Sequence, residues 1–357
     1  MNKTLLLTAI SILMLVGMNT YGQDFSNKGK DFYIAYTGHI DGTGSVMGIY
    51  LTSDVNATGT VKVGSQILPF TVIANQITRL FIGPNGGGSA PNTLVYNGQA
   101  DGINPDAGIR VQSDKNIVVY AHIIRAARSG ATLVLPTTVL GKDYIVPSFR
   151  NTGGGGQGGE SGYSEITVVA VEANTTVEIT PTVGSRTGSR PAGVPFEIIL
   201  ANPGDVYQLQ STQHQDYSGS RVRSVPGRLG GGGQGCKPIA VFSSTTWSGF
   251  DCNGASGGDN LYQQLFPTKS WGKKFVTAPF IYKAADIVRV FVQNPGTVVT
   301  KRELGVTTTL TGLASPGNYY EIKTANPLVI EASEPVSVAQ YITSQTCDGV
   351  QSDPEMT

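Results

Sequence analysis

Short runs of valine, isoleucine and threonine, separated by turn residues, recur along almost the whole chain. Residues 48–53 and 58–63 flank an Asp-Val-Asn turn, and residues 287–293 and 297–302 flank an Asn-Pro-Gly turn. β-Branched residues on both sides of such turns are typical of strands joined as hairpins. Outside the first 20 residues no window holds a sustained helical apolar period. The pattern therefore predicts an all-β chain.

One short phrase opens three stretches of the chain. It stands as GKDF at residues 29–32, GKDY at 141–144 and GKKF at 272–275, so that the stretches start 112 and 131 residues apart. This period exceeds that of solenoid repeats and is close to the size of an autonomous domain. Each stretch also closes on a β-branched run behind a charged turn, at residues 117–120, 239–242 and 336–338.

We therefore predict three tandem, antiparallel β-sandwich-like modules, with about six or seven strands in each. Their predicted bounds are residues 23–140, 141–271 and 272–357. The shared order of phrase, hairpin and closing run predicts that the three modules superpose. The residues expected in equivalent core positions are Phe32, Tyr144 and Phe275, and those expected on equivalent closing strands are Val119, Val241 and Val338.

The first 22 residues have the features of a secretory signal. Asn2 and Lys3 form a polar, positive start, residues 5–16 are apolar, and residues 20–22 fit a signal peptidase site. We expect cleavage before Gln23, with an uncleaved signal anchor as the alternative. No other stretch has the length and apolarity to cross a membrane. The mature protein is thus expected outside the cell or on its surface.

Composition narrows the classes of partner. The 25 basic and 25 acidic residues balance, and charged residues make up only 14% of the chain. A protein that binds nucleic acid normally has a basic face, so this composition argues against such a partner. The 46 glycines concentrate in runs at residues 83–88, 153–159 and 230–235, which we interpret as surface loops.

Three cysteines are too few for a disulfide framework. Cys236 and Cys252 flank one closing strand and form the first candidate disulfide, which leaves Cys347 over. Cys347 is then a buried free thiol, a partner of Cys252 or Cys236 instead, or a partner of a cysteine beyond Thr357. Residues 353–356 resemble the start of a connector to another module, so we expect a further module or an anchoring segment to follow.

Several of these phrases together resemble the IgGFc-binding protein N-terminal domain family. They are residues 29–36, 135–144, 237–242, 267–275 and 353–356, and the resemblance spans nearly all of the mature chain. It implies a large exported or cell-surface protein with adhesion-type β modules. Binding of IgG Fc is implied by the family name alone. Where other members tend to have a Cys-Asp pair before a leucine, this chain has Asp259-Asn260-Leu261.

Candidate catalytic chemistry is sparse. His39, His122 and His214 are the three histidines; His39 lies near Asp41 and His214 near Asp216, but neither pair has a further ligand at zinc spacing. Residues 159–162 miss the spacing of the Gly-x-Ser-x-Gly elbow of serine hydrolases and no helix follows them, and the glycine-rich residues 42–48 precede a strand instead of a helix. We predict no catalytic residue, no cofactor site and no metal site, and therefore no enzyme.

Two loops are candidates for binding. Residues 101–106 gather oxygen ligands that calcium could use, although an ordinary solvated turn is the alternative. Residues 244–252 combine aromatic with small polar side chains, as recognition surfaces do. The candidate binding residues there are Trp247, Phe250 and Asp251. The alternative is that Trp247 and Phe250 cover the edge of a core.

Two function classes follow. The first is an adhesion or binding protein that presents loops of stacked modules to an extracellular protein or glycan. The second is a structural stalk that spaces another domain from the cell surface. An exported hydrolase with carboxylates that converge only in the fold is a distant third.

Overall fold

The computed structural model describes residues 26–83, 90–150, 162–227, 236–250, 258–347, 349–350 and 355–357, and its regular structure is almost entirely β. Every helix in these ranges is a three-residue 3-10 turn, so the all-β prediction is confirmed. No described helix has the length and apolarity required to cross a bilayer. The strands are β1 Gly29–Ile34, β2 Val46–Thr52, β3 Ala57–Val63, β4 Gln66–Val72, β5 Ile77–Ile82, β6 Asp101–Asn104, β7 Ile109–Arg125, β8 Arg128–Val134, β9 Asp143–Ile145, β10 Ser164–Ala170, β11 Thr175–Thr180, β12 Phe196–Leu200, β13 Val206–Gln210, β14 Arg221–Ser224, β15 Ile239–Ser248, β16 Asp259–Gln264, β17 Gly272–Thr277, β18 Asp286–Val292, β19 Val299–Glu303, β20 Val306–Thr309, β21 Tyr319–Thr324, β22 Leu328–Ile342 and β23 Glu355–Met356.

The first sheet, sheet A, is organised around the 17-residue strand β7. Its order is β4-β3-β7-β2-β5, and β1 and β8 also pair with β7. The first part of β7 pairs with β1 and β3, and its last part pairs with β2 and β8. Because one long strand serves both halves, the sheet curls around a single apolar core.

The last sheet, sheet D, has the corresponding arrangement around β22. Its order is β20-β19-β22-β18-β21, with β17 and β23 also paired to β22. Strands β17 and β19 pair with the first part of β22, and β18 and β23 pair with its last part. Each pairing in sheet D thus has a counterpart in sheet A.

In the middle of the chain, the strand pairings found in sheets A and D are divided between two sheets. Sheet B has the order β16-β15-β10-β13-β6, and sheet C has the order β12-β11-β14-β9. Strands β14 and β15 take the two roles that a single long strand has in sheets A and D. The pairing scheme therefore occurs in each predicted module, and superposition of the three backbones stays a prediction.

One strand joins a sheet outside its own stretch of sequence. Residues 101–104, which lie within the predicted first module, form β6 and pair with β13 of sheet B. Sequence analysis placed these residues in a turn. Because β6 contributes hydrogen bonds to the neighbouring sheet, the first and second stretches are tied together by backbone as well as by side chains.

The opening phrase pairs with the closing strand in each stretch. Gly29 lies opposite Ile117, Gly141 forms an isolated bridge with Ile239, and Gly272 lies opposite Val336. Phe32 and Tyr144 are fully buried, and Phe275 packs against the core of sheet D. The third residue of each phrase forms an ion pair with the closing part of its stretch: Asp31 with Arg110, Asp143 with Arg221, and Lys274 with Glu331. Such partly exposed pairs contribute little stability, so we interpret them as setting the register.

The glycine of the first two phrases is required by close packing. A Cβ added at Gly29 would lie 2.2 Å from Cβ of Pro136, and one added at Gly141 would lie 2.2 Å from Cβ of Pro267. Real Cβ atoms do not approach so closely, and a proline ring cannot swing away. Glycine is therefore required at these two positions for the opening strand to pack.

We expect Gly141→Ala to lower the free energy of unfolding by about 1–3 kcal/mol, because the added methyl group overpacks the contact with Pro267. Urea denaturation followed by far-ultraviolet circular dichroism measures this loss. Gly184→Ala is the control, since its added Cβ would come no closer than 3.9 Å to another heavy atom. Equal midpoints for the two variants would contradict the packing argument.

Candidate binding site

Two junctions hold the sheets against one another through apolar side chains. The core of sheet A includes side chains from sheet B, among them Val206, Phe242 and Tyr262. At the second junction Phe149 and Phe250 pack in one cluster with Phe291 and Tyr341 of sheet D. Burial of aromatic side chains in shared clusters is the largest stabilising contribution to such contacts.

A buried carboxyl group lies at the first junction. Glu165 on β10 is fully buried, and its Oε2 accepts a 2.7 Å hydrogen bond from Oγ of Ser244. Its Oε1 accepts hydrogen bonds from Nε2 of Gln210 at 2.8 Å and Nε2 of Gln208 at 3.1 Å. Burial raises the pKa of Glu165 to about 8, against the opposing effect of the hydrogen bond from Ser244. The side chain is therefore largely protonated at neutral pH.

The backbone of sheet A approaches this carboxyl group closely. A Cβ added at Gly38 would lie 2.2 Å from Oε1 of Glu165. The next residue, His39, is also buried, and its Nδ1 accepts a hydrogen bond from the backbone N–H of Asp41. Burial lowers the pKa of His39 to about 4, although Asp41 acts in the opposite direction. We therefore assign both side chains a structural role between sheets A and B.

A buried cation lies at the second junction. Arg289 on β18 is 2% exposed, and its guanidinium carbon lies 4.2 Å from the ring centroid of Phe149 and 4.7 Å from that of Tyr319. Its Nη1 donates to the backbone oxygen of Ser148 at 2.7 Å and to Oγ of Ser218 at 2.8 Å. The planar fork of arginine can satisfy these directions at once.

The charge of Arg289 is compensated by acidic neighbours. Its Nε donates to Oε2 of Glu321 at 2.8 Å, and its Nη1 lies 3.4 Å from Oδ2 of Asp216. Burial lowers the pKa of Arg289, but Tyr341, Asp216 and Glu321 outweigh burial, so that the pKa lies above its ordinary value. The side chain stays charged and connects sheet D to the loops of sheet C.

Two loops touch through their backbones beside Arg289. Gly219 and Gly317 both have left-handed φ values, 84° and 87°. A Cβ on Gly219 would lie 2.3 Å from the backbone oxygen of Gly317, and one on Gly317 would lie 2.4 Å from that of Gly219. Glycine is needed at both positions for conformation and for contact distance.

These loops bound an open cleft of about 500 Å³ at the second junction. This volume can accommodate a small ligand or a single side chain of a larger partner. Its lining is mainly polar and includes Arg150, Thr182, His214, Gln215, Asn318 and Tyr319.

The cleft offers hydrogen-bond donors and acceptors. Asp216 also borders it, but one carboxylate oxygen accepts from the backbone N–H of Ser218 at 2.8 Å and the other faces Arg289. His214 has a left-handed φ of 62° in the loop that forms one wall. An amide, a hydroxyl, a guanidinium and a phenol around one cleft suit recognition of a polar group, such as a saccharide or an exposed peptide segment.

The aromatic residues predicted to bind a partner are buried. Trp247 on β15 is 5% exposed and Phe250 is 1% exposed, while Asp251 lies outside the described residues. The ring of Phe250 lies 4.1 Å from that of Phe149, centroid to centroid. The burial favours the alternative that the sequence left open, in which Trp247 and Phe250 cover a core edge.

We expect Trp247→Ala to lower the free energy of unfolding by about 3–5 kcal/mol, because a large buried ring is lost. The exposed Phe266, 51% accessible, provides the matched control as Phe266→Ala. Thermal and urea unfolding of both variants measure the difference. If Trp247→Ala were as stable as wild type, the ring would not be part of a core, and Trp247 would again be a candidate binding residue.

The other chemical candidates are dispersed. His39 is buried at the first junction, His122 lies on β7, and His214 lies at the cleft of the second junction. Among the described residues no group of three or more His, Cys, Asp or Glu side chains is placed to hold a metal ion.

The carboxylates of residues 101–106, which were considered as oxygen ligands for calcium, have protein partners. Asp101 accepts hydrogen bonds from Oη of Tyr207 at 2.6 Å and Nε of Arg190 at 3.0 Å. Asp106 forms an ion pair with Lys62 at 2.6 Å. These contacts and the pairing of residues 101–104 as β6 replace both the calcium loop and the solvated turn with a strand.

The predicted disulfide between Cys236 and Cys252 is not present in the structure. Cys236 is a free cysteine in the structure, and Cys252 lies outside the described residues. Cys347 ends the short 3-10 helix Gln345–Cys347 that follows β22.

Sequence analysis did not find the two charged residues that define the junctions. Glu165 and Arg289 each lie in a run of apolar strand residues. A charge inside such a run is the signal that could have marked them, because a buried charge requires a specific partner.

Comparison with known proteins gives one family match. A sequence model of the family described as IgGFc binding protein matches residues 130–357, which is more than half of the chain. A search of curated proteins found no match. A solved structure described as "Ca2+-stabilized adhesin helps an Antarctic bacterium reach out and bind ice" aligns over 92% of this chain and 73% of that chain, with 11% identity and a TM-score of 0.15.

Proposed function

The chain belongs to the IgGFc-binding protein family, and from that membership we propose that it is an exported cell-surface protein that binds an extracellular protein partner. The balance of 25 basic and 25 acidic residues argues against a nucleic acid as the partner. The partner is identified only by class, as a protein or glycoprotein. IgG Fc is the first probe, on the strength of the family name.

The cleft between sheets C and D is the proposed contact site. It is the observation that carries the proposal, since its volume of about 500 Å³ and polar lining suit a polar group on a partner surface. Arg289 and the Gly219–Gly317 contact fix the two walls relative to each other. A wall that does not have to be ordered on binding lowers the entropic cost of association.

We propose that the segment binds without catalysis. Acid–base catalysis needs titratable groups in one pocket with pKa values tuned to the reaction. Two of the buried groups with shifted pKa values, Glu165 and His39, lie at the first junction with partners around them. The cleft at the second junction holds Asp216 in contacts with Ser218 and Arg289.

A structural stalk is the second candidate function. The observation that favours it is the burial of two junctions in a row, because stacked sheets with apolar and ionic contacts make a stiff spacer. A stalk needs no ligand at the cleft. The two functions therefore differ in what happens when cleft residues are changed.

The test is binding of residues 23–357 to immobilised IgG Fc, to the same Fc with its glycan removed, and to a mucin-type glycoprotein. Arg150→Ala with Gln215→Ala removes two exposed side chains of the cleft without touching a buried contact. We expect this double variant to bind at least about tenfold more weakly, as loss of an interface anchor does. Arg302→Ala, an exposed arginine on β19, is the control and should bind as wild type.

The outcomes separate the candidates. Binding that is lost with the glycan identifies the sugar as the recognised group, and binding that persists identifies protein surface. Binding that the double variant leaves unchanged removes the cleft from the proposal. Absence of binding to all three probes, with folded protein, favours the stalk.

A further inference from the structure

Both junctions within the chain are built from the same two surfaces. One is the loop that follows an opening strand, and the other is the outward face of the next sheet. After β1, the backbone oxygen of Ala35 accepts a 2.8 Å hydrogen bond from Oη of Tyr262, and the N–H of Ile40 donates to the backbone oxygen of Thr246 at 3.0 Å. After β9, the backbone oxygen of Ser148 accepts a 2.9 Å hydrogen bond from Oη of Tyr341.

The receiving faces correspond strand by strand. The face meant is the one turned away from the sheet's own core. At its centre, Thr167 lies opposite Phe242 in sheet B, and Arg289 lies opposite Ala339 in sheet D. All of these side chains are buried by the preceding part of the chain. The face is thus covered in sheets B and D.

The same face of sheet A is open. The corresponding pair there is Tyr50 opposite Tyr120, and Tyr120 is 44% exposed. Ile77 is 65% exposed on the same face, and Phe81 and His122 complete a half-buried aromatic surface. We call Tyr50, Ile77, Phe81, Tyr120 and His122 the open face of sheet A.

The third loop is likewise exposed. Residues 278–285 follow β17, as residues 35–40 follow β1 and residues 146–150 follow β9. In this loop Ile281 is 75% exposed and Tyr282 is 84% exposed. Tyr282 also has a left-handed φ of 67°, a conformation that an aromatic residue rarely adopts. Strain of this kind concentrates at recognition sites.

We propose that the loop of residues 278–285 binds the open face of sheet A on a second copy of the chain, head to tail. The occupant is a second copy because one chain carries both surfaces, and surfaces of the same two kinds already pack together twice within it. Exposed apolar side chains on both sides supply the hydrophobic contact.

A head-to-tail contact of this kind uses two different surfaces and does not close on itself in general. It leaves one open face and one free loop at the ends of every assembly. The expected products are therefore dimers, trimers and longer linear chains of molecules, whose mean length rises with protein concentration.

Sedimentation velocity across a dilution series of residues 23–357 tests the proposal. A loop variant, Ile281→Ser with Tyr282→Ser, removes one surface, and a face variant, Ile77→Ser with Tyr120→Ser, removes the other. We expect each alone to associate at least about tenfold more weakly than wild type. The control is Leu304→Ser with Val306→Ser, which changes two exposed apolar residues outside both surfaces and should associate as wild type.

Mixing the two variants gives the sharpest test. The loop variant keeps an intact face and the face variant keeps an intact loop, so an equal mixture should form a one-to-one dimer that does not grow. Wild-type protein that stays monomeric throughout the series would overturn the proposal. So would a mixture that remains monomeric, or single variants that associate as wild type, provided that circular dichroism and melting show every variant folded.

Discussion

Replacement of Arg289 by methionine is expected to lower the free energy of unfolding by about 3–5 kcal/mol, as removal of one member of a buried ionic group does. Methionine fills part of the volume but donates no hydrogen bond to Ser148 or Ser218. It also leaves Asp216, whose side chain is almost fully buried, without its cation. Both losses fall on the junction between sheets C and D.

Arg289→Lys should also be destabilising, although the charge is kept. A lysine ammonium lacks the planar fork that lies between Phe149 and Tyr319 and cannot donate in the same directions. Urea denaturation followed by tryptophan fluorescence and by circular dichroism measures both variants. Arg302→Ala, at an exposed position, should differ from wild type by less than about 0.5 kcal/mol.

The contrary result is equal stability of Arg289→Met and Arg302→Ala. It would mean that the junction is held by the apolar cluster around Phe149 and Tyr341 alone. Unfolding in two steps, with only the step that involves sheet D shifted, would instead localise the effect to the second junction.

The strands were predictable because their signal is local. β-Branched runs broken by turn residues gave the strands β2, β3, β10, β11, β18 and β19 at or near their observed positions. The prediction that they form hairpins was wrong: β2 pairs with β5 and β7 and β3 pairs with β4 and β7, and the corresponding strands of the later stretches are likewise not paired with each other. The repeated phrase was also informative, since Phe32 and Tyr144 are core residues and each phrase glycine faces its closing strand. Local patterns and spacings were sufficient for the fold class.

Contacts between sheets were not predictable in the same way. The residues around Trp247 have the composition of a recognition loop. Its ring is nevertheless buried, by the close approach of Gly258 and by the packing of sheet B. Residues 101–106 look like a polar turn, but β6 pairs with β13 about a hundred residues later. Such partners are distant in sequence, so no window around either site contains the information.

The burial of the charged residues at the junctions could not be predicted from local sequence either. Glu165 and Arg289 alternate with core residues along their strands, so the strand period alone places them on the face turned away from the core. Each is buried because a loop from the preceding part of the chain covers it: Gly38 lies over Glu165, and Ser148 lies over Arg289. The alternation of a strand predicts which residues share a face but not what covers that face.

Glu165 is expected to make stability fall as pH rises from about 4.5 to 8. Burial raises the pKa of its carboxyl group to about 8 in the folded protein, whereas the group ionises near 4.5 when exposed. Between these values the folded state binds the proton and the unfolded state does not. Higher pH therefore favours unfolding, by up to about 1.4 kcal/mol per pH unit for this one group.

Glu165→Gln should remove this dependence, because an amide is of similar shape and carries no titrating proton. His39 has the opposite effect on stability. Burial lowers its pKa from 6.5 to about 4, so stability is gained as pH rises between these two values. The quantity to measure is therefore the difference in unfolding free energy between Glu165→Gln and wild type at each pH. That difference should move in favour of the variant steadily between pH 5 and 8 and become constant above that range.

Arg186 provides a second variant that shifts the window instead of removing it. Its charge lowers the pKa of Glu165, and its Nη1 donates to Oε1 of Gln210, which in turn donates to the carboxyl group. Arg186→Gln should therefore move the upper end of the pH-dependent range to higher pH. A difference between Glu165→Gln and wild type that stays the same from pH 5 to 9 would show that Glu165 is ionised in the folded protein, and that the loop containing Gly38 covers a charged carboxylate.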